Sequence, residues 1–385
     1  MGWLHLWLGL PAGLIILIVC ITGCIMAFED ELKPILFKQR YQVEESAKSI
    51  LPIDNIVGLS QAVFPKDKVA RIIIPEESSR SVEVRLGTKE KGLKTVFINP
   101  YNGEILFKGN YNDRFFETVR RLHRVLLLDE FGKVITGISC VICFFLVISG
   151  IVIWWPANKK AMKQRFKIKW DASGKRLTWD LHAVSGFYIS IFLSVITLTG
   201  LVWSYDWVDN LIFKLADGKP KKEEKIKNLA SENINDPGLY QNVYQQINKI
   251  YAGPGITTIN VPAKAGQALA VQKELTDRLV IVGDGAYFDS RSGELIKKQP
   301  FASLSTGSQI RKMNLPIHAG TILGWPTKLL AFLVTLFTAS LPITGTLIWW
   351  KRGKKTKKSK KVIKTHVLAE PFNKQRMSVP TKLEV

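Results

Sequence analysis

Four stretches of the chain, residues 6–28, 134–155, 183–205 and 329–350, are apolar from end to end and carry no internal charge. Each is about 22 residues, or about 33 Å of helix, which is enough to cross a bilayer core. The pattern predicts four transmembrane helices. Between them the polarity changes to a shorter beat. Residues 70–74 and 81–86, and again 269–272 and 279–282, alternate apolar and polar positions as strands do. Residues 96–106 and 286–296 each read strand, Asx/Gly turn, strand. Helical periodicity precedes them near residues 55–64 and 239–251. The expected fold is membrane α-helical with two α+β extracytoplasmic domains. Its parts are a helix in 1–28, a soluble domain in 29–130, a helix in 131–155, a basic linker in 156–181, a helix in 182–205, a second soluble domain in 206–325, a helix in 326–350 and a basic tail in 351–385. The first run lacks a basic n-region and is long for a signal peptide, so it reads as a retained helix.

The plan is a duplication. Leu4-His5-Leu6-Trp7-Leu8-Gly9 answers Leu181-His182-Ala183-Val184-Ser185-Gly186, and Ile21-Thr22-Gly23 answers Leu198-Thr199-Gly200, both at an offset of 177 residues. Ile148-Ser149-Gly150 and Trp154-Trp155 answer Ile343-Thr344-Gly345 and Trp349-Trp350 at an offset of 195, which also carries His123 onto His318 and Lys133 onto Lys328. In the soluble loops, Asn99 with Gly103-Glu104 answers Asp289 with Gly293-Glu294.

Composition now changes the picture. The 385 residues carry a formal net charge of +22. Such an excess suits nucleic acid, anionic lipid or a topology signal. Its distribution selects the bilayer and argues against nucleic acid. Lysine and arginine crowd the short linker and the start of the tail, beside apolar runs, where positive charge marks the cytoplasmic side. Both termini are therefore expected in the cytoplasm and both long loops outside. All four cysteines, Cys20, Cys24, Cys140 and Cys143, lie in apolar runs. That excludes a disulfide framework for the soluble domains and reads as packing thiols. The Trp-Trp pairs read as interfacial belts.

Four of the five histidines sit at equivalent edges of the four spans, the fifth being His366 in the tail. His5 and His182 belong to the cytoplasmic face, His123 and His318 to the outer face. A lone membrane-edge histidine is an ordinary interfacial residue, whereas two symmetry-matched pairs point to function. A bare metal ion asks for three or four protein ligands, and each face offers two without an acidic partner. Two histidines suit the axial positions of a b-type haem. Gly9 and Gly186 lie one helical turn past their histidines, and Gly23 and Gly200 about five turns past. They either clear space for a flat macrocycle or serve helix packing. For His123 and His318 to reach membrane depth the chain must fold back, at Gly324-Trp325-Pro326 in the second copy and at residues 128–132 in the first. Arg120, Arg121 and Arg124 flank His123, and Arg311 and Lys312 precede His318. They either pair with haem propionates or bound the membrane surface.

Taken in order, these motifs resemble the PepSY-associated transmembrane family. The carriers are the Leu-His-x-x-x-Gly span openings, the Asn/Asp-x-x-x-Gly-Glu hairpins, Pro316-Ile317-His318-Ala319-Gly320 with Gly324, and the Trp-Trp closures, from about residue 3 to residue 352. The resemblance implies a bacterial inner-membrane protein of iron uptake, similar to di-haem reductases of ferric siderophores. It makes His5, His123, His182 and His318 the axial ligands of two haem b groups. The topology pairs His5 with His182 on the cytoplasmic side and His123 with His318 on the periplasmic side. The implied partners are a ferric siderophore or other ferric chelate and a cytoplasmic or quinone electron donor, since no flavin or nicotinamide fingerprint occurs. The first copy departs from the second at its outer motif, reading Leu122-His123-Arg124 for Ile317-His318-Ala319. The alternative is a PepSY-type protein-binding or peptidase-regulating membrane protein without redox activity. A peptidase itself lacks its motifs here, and a carrier of haem or metal lacks charged residues in mid-span.

Overall fold

The computed structural model describes residues 1–45, 49–88, 92–110, 114–156, 158–221, 226–229 and 236–366. The basic tail beyond residue 366, and the side chains of residues 352–366, lie outside the described residues.

The first copy runs α1 (Gly2–Ala27), α2 (Glu29–Leu36), α3 (Lys38–Tyr41), α4 (Ile53–Val63), β1 (Val69–Ile74), β2 (Val82–Thr88), β3 (Gly92–Ile98), β4 (Ile105–Asn110), α5 (Arg114–Val125) and α6 (Asp129–Trp154). A short α7 (Lys159–Arg165) occupies the linker. The second copy runs α8 (Gly174–Ser204), α9 (Asp206–Asp217), α10 (Leu239–Ile250), β5 (Gly255–Asn260), β6 (Leu269–Leu275), β7 (Asp284–Phe288), β8 (Leu295–Gln299), α11 (Thr306–Ala319) and α12 (Trp325–His366). Helices α1, α6, α8 and the Trp325–Lys351 part of α12 are long and apolar enough to cross a bilayer, so this is a multi-pass membrane protein. They close into a ring in which α1 and α8 each pack against both α6 and α12. Small residues set the seams, as in lipid, where close backbone approach replaces the hydrophobic effect. A Cβ added at Gly13 of α1 would stand 3.1 Å from Pro342 Cβ of α12.

The soluble loops differ from the expectation of two separate small sheets. Their strands form one eight-stranded antiparallel sheet in the order β4-β3-β2-β1-β5-β6-β7-β8. The copies join at β1 and β5, where Ile72 faces Ile259 and Arg71 Nε donates to Asn260 Oδ1 at 2.8 Å. Joining the edge strands pairs backbone groups that two small sheets would leave open. Helices α4 and α10 cover one face together, and a single core runs through Ile56, Ile72, Val84, Val243, Ile247, Ile259 and Val271. The two helices also cap one another. Asp54 of α4 accepts from Tyr240 N and Gln241 N at 3.1 and 2.8 Å, and Gln241 Oε1 accepts from Ile53 N at 3.0 Å. Each cap satisfies amide groups that a helix start leaves without partners.

The strand expected at residues 279–282 is corrected. The strands beside β6 are β7 and β5, and the Ile-Thr-Thr-Ile of β5 supplies the β-branched alternation. Residues 279–282 instead run toward the membrane bundle, where Ile281 N donates to Ile322 O at 3.1 Å. The two hairpins are built as read. Asn99 Oδ1 accepts from Tyr101 N, Asp289 Oδ1 from Arg291 N and Ser292 N, and Gly103 and Gly293 take positive φ of 77° and 70°.

Because Ile72 and Ile259 are both fully buried at the join, Ile72→Ala or Ile259→Ala is expected to cost about 2–5 kcal/mol. Melting in detergent with hydrogen exchange should show weakened protection in β2 and β6 alike for either variant. Loss confined to the mutated copy would mean that the halves behave as separate domains.

Candidate functional site

The two outer histidines reach their places by a fold-back. Helix α5 carries His123 against α1, and α11 carries His318 against α8. In the second copy the reversal uses Gly320 and Gly324, at φ 76° and 68°. In the first it falls at residues 126–129, slightly before the position expected. There Leu126, Leu127 and Asp129 take φ of 50°, 62° and 48°. Left-handed geometry costs a residue with a Cβ roughly 1–2 kcal/mol, so surrounding contacts must hold this turn. Gly132 is one of them. A Cβ there would lie 1.7 Å from Val125 O, so only glycine lets α6 start this close to the end of α5.

Polar anchors fix both fold-back helices. Arg120 of α5 pairs with Glu29 at 2.6 Å and Glu117 at 3.0 Å. Arg311 of α11 pairs with Asp209 of α9 at 2.7 Å. Asp217 of α9 receives the start of α11, accepting from Gly307 N at 2.9 Å and Ser305 Oγ at 2.7 Å. Buried Asn314 donates to Thr199 O at 3.1 Å.

The four histidines then meet in two pairs, each taking one ring from each copy. On the linker side the rings of His5 and His182 have centres 6.3 Å apart at 86°. On the sheet side those of His123 and His318 are 6.4 Å apart at 73°. A metal–imidazole nitrogen bond is about 2 Å and the ring centre lies about 1 Å behind, so two axial rings on one iron stand about 6 Å apart.

Each ring is held in one way. Nδ1 of His5 lies 2.8 Å from Ser149 Oγ, that of His182 3.0 Å from Thr344 Oγ1, that of His123 3.2 Å from Thr22 Oγ1 and that of His318 3.0 Å from Thr199 Oγ1. Each hydroxyl already donates to a carbonyl of its own helix. It therefore accepts from the imidazole, and the network assigns the proton to Nδ1. Val19 O and Ile196 O, at 2.9 and 3.0 Å from Nδ1 of His123 and His318, can only accept and require the same tautomer. Among the described residues no hydrogen bond engages any Nε2, so its lone pair is left to bind a metal.

The residue after each hydroxyl is glycine, and it gives the ring its room. A Cβ at Gly150, Gly345, Gly23 or Gly200 would stand 3.5, 3.3, 3.2 or 3.3 Å from Cε1 of His5, His182, His123 or His318. Gly23 and Gly200 thus make space for the imidazole itself. Gly9 and Gly186 face Leu146 and Leu341 and line an apolar cavity of about 260 Å³ between His5 and His182. Sequence reading did not select Ser149-Gly150 and Thr344-Gly345 as site residues. The recurrence of a Ser/Thr-Gly pair in every span was the signal for them.

The flanking arginines divide. Arg120 and Arg311 are engaged with carboxylates, Arg121 with Asp129 at 2.9 Å, while Arg124 is exposed with no ion pair among the described residues. The cysteines are free thiols. No group of three or more His, Cys, Asp or Glu able to hold a metal ion occurs among the described residues. The donor set, two imidazoles per site with apolar space beside the His5–His182 pair, fits an iron whose other ligands come with it, as in haem. Compared with family models, the chain matches the PepSY-associated TM region over residues 2–352. No curated protein matches it.

The carboxyl of Asp217 is held below the usual carboxylate range, chiefly by the Gly307 amide and then by the Ser305 hydroxyl. A depressed folded-state pKa stabilises above the unfolded value of about 4 and is lost as pH falls through the folded one. Wild type and Asp217→Ala should differ in melting temperature at neutral pH and converge in acid. A gap independent of pH would assign the effect to packing.

Proposed function

This chain belongs to the PepSY-associated TM region family, and we propose that it is a di-haem electron-transfer protein of the bacterial inner membrane that reduces a ferric chelate, such as a ferric siderophore, outside the cytoplasm. The observation that carries the reading is the two cross-copy histidine pairs with every proton on Nδ1. When bound, each haem supplies a one-electron ferric/ferrous couple.

The chain's residues do the rest. His5 with His182, and His123 with His318, offer Nε2 lone pairs at fixed angles, and Ser149, Thr344, Thr22 and Thr199 keep the rings from turning. Hydrogen bonds at Nδ1 also raise the basicity of Nε2. From His5 to the Val19–Gly23 stretch against which His123 packs is about 16 residues, or about 24 Å along α1. The two sites therefore stand near opposite surfaces of the bilayer core. Buried Ile16, Cys20, Cys143, Val147, Leu193 and Val334 keep the space between them dry. The positive-inside rule sets the linker side in the cytoplasm and the sheet domain in the periplasm. One electron from a cytoplasmic or quinol donor converts one ferric ion to ferrous in the chelate. Ferrous iron is the softer ion and holds oxygen chelators more weakly, so reduction releases it.

Detergent-purified protein from haem-supplied cells should give a split reduced spectrum and, by pyridine haemochrome, two b-type haems per chain. His5→Ala or His182→Ala should lose one haem and spare the other. A featureless wild-type spectrum would remove this reading and favour the protein-binding alternative.

A further inference from the structure

The two copies build their sheet-side histidines from the same parts, with one exception. His123 and His318 each have a threonine hydroxyl and a backbone carbonyl at Nδ1 and a glycine against Cε1. Of these two, only His318 has an indole in ring contact among the described residues. The ring of Trp203 lies 5.1 Å from it at 73°, an edge-to-face contact. Trp203 sits one turn beyond Thr199 and Gly200 on α8, at the end nearer the sheet. The repeat offset places Met26 at the corresponding position of α1. Apart from its own partner, no other of the four histidines has an aromatic ring in contact among the described residues.

We infer that Trp203 is a positioning residue for His318: it fixes the plane of that ring and keeps water from its sheet-side flank. This makes the sheet-side pair inequivalent and rests on the reading of that pair as a haem site. Two physical consequences follow. The plane of an axial imidazole governs its π overlap with the iron, which the g-anisotropy of a low-spin ferric haem reports. A drier surround disfavours the more highly charged ferric form, so the indole holds the potential of this site up.

The test compares Trp203→Leu, Trp203→Phe and Met26→Leu with wild type, as full-length chains purified with haem. It reads haem content, low-temperature EPR of the ferric protein and a potentiometric titration. We expect Trp203→Leu to alter one of two low-spin signals and lower one of two midpoints, leaving the others in place. Trp203→Phe should restore most of the wild-type signature, and Met26→Leu should change neither. Loss of the sheet-side haem alone in Trp203→Leu, with retention in Trp203→Phe, would also support the assignment. Full haem loading with unchanged signals and midpoints in Trp203→Leu overturns it, as does the same change in Met26→Leu. Absence of haem from the wild type is distinguishable from both, because it removes the parent reading as well.

Discussion

A neutral imidazole placed among apolar helices has one N–H that water cannot reach. Leaving it unpaired costs a few kcal/mol, and the architecture around the four histidines follows from meeting that need. In every span the partner is a serine or threonine hydroxyl, itself anchored to the carbonyl one turn back. The hydroxyl's proton is used up, so it must accept, and the histidine must donate from Nδ1. Nothing else is needed to present Nε2 as a lone pair. The following glycine removes the side chain that would otherwise keep the ring and the hydroxyl apart. A Ser/Thr-Gly step is thus a complete socket for one histidine, and the chain uses it four times.

Duplication turns sockets into sites. One copy alone brings one histidine to each side, because His5 seats on α6 and His123 on α1, both within the first copy. The second copy repeats this with α12 and α8. Only the approximate twofold between copies sets ring against ring. The same relation joins β1 to β5 and lets α4 and α10 cap each other. Among the described residues, non-glycine residues take left-handed φ only in the first copy's turn at residues 126–129, where the second copy uses glycines instead.

Much of this could be read from the chain alone, for physical reasons. Four runs without charge can only be buried in lipid, and their length fixes them as helices. Two offsets, 177 and 195, revealed the duplication and pointed to four histidines as equivalent. Asx and glycine positions named the hairpins, since turn chemistry is local. Tertiary structure decided what depends on distant contacts. It placed β5, not residues 279–282, beside β6 opposite β7 and merged two sheets into one, because strand pairing has no signature in either strand by itself. It assigned Gly150 and Gly345 to His5 and His182 across helices 145 and 163 residues apart in sequence, and turned Arg120 and Arg311 toward carboxylates. It also set Trp203 against His318, a contact that breaks the repeat and that no periodicity could announce.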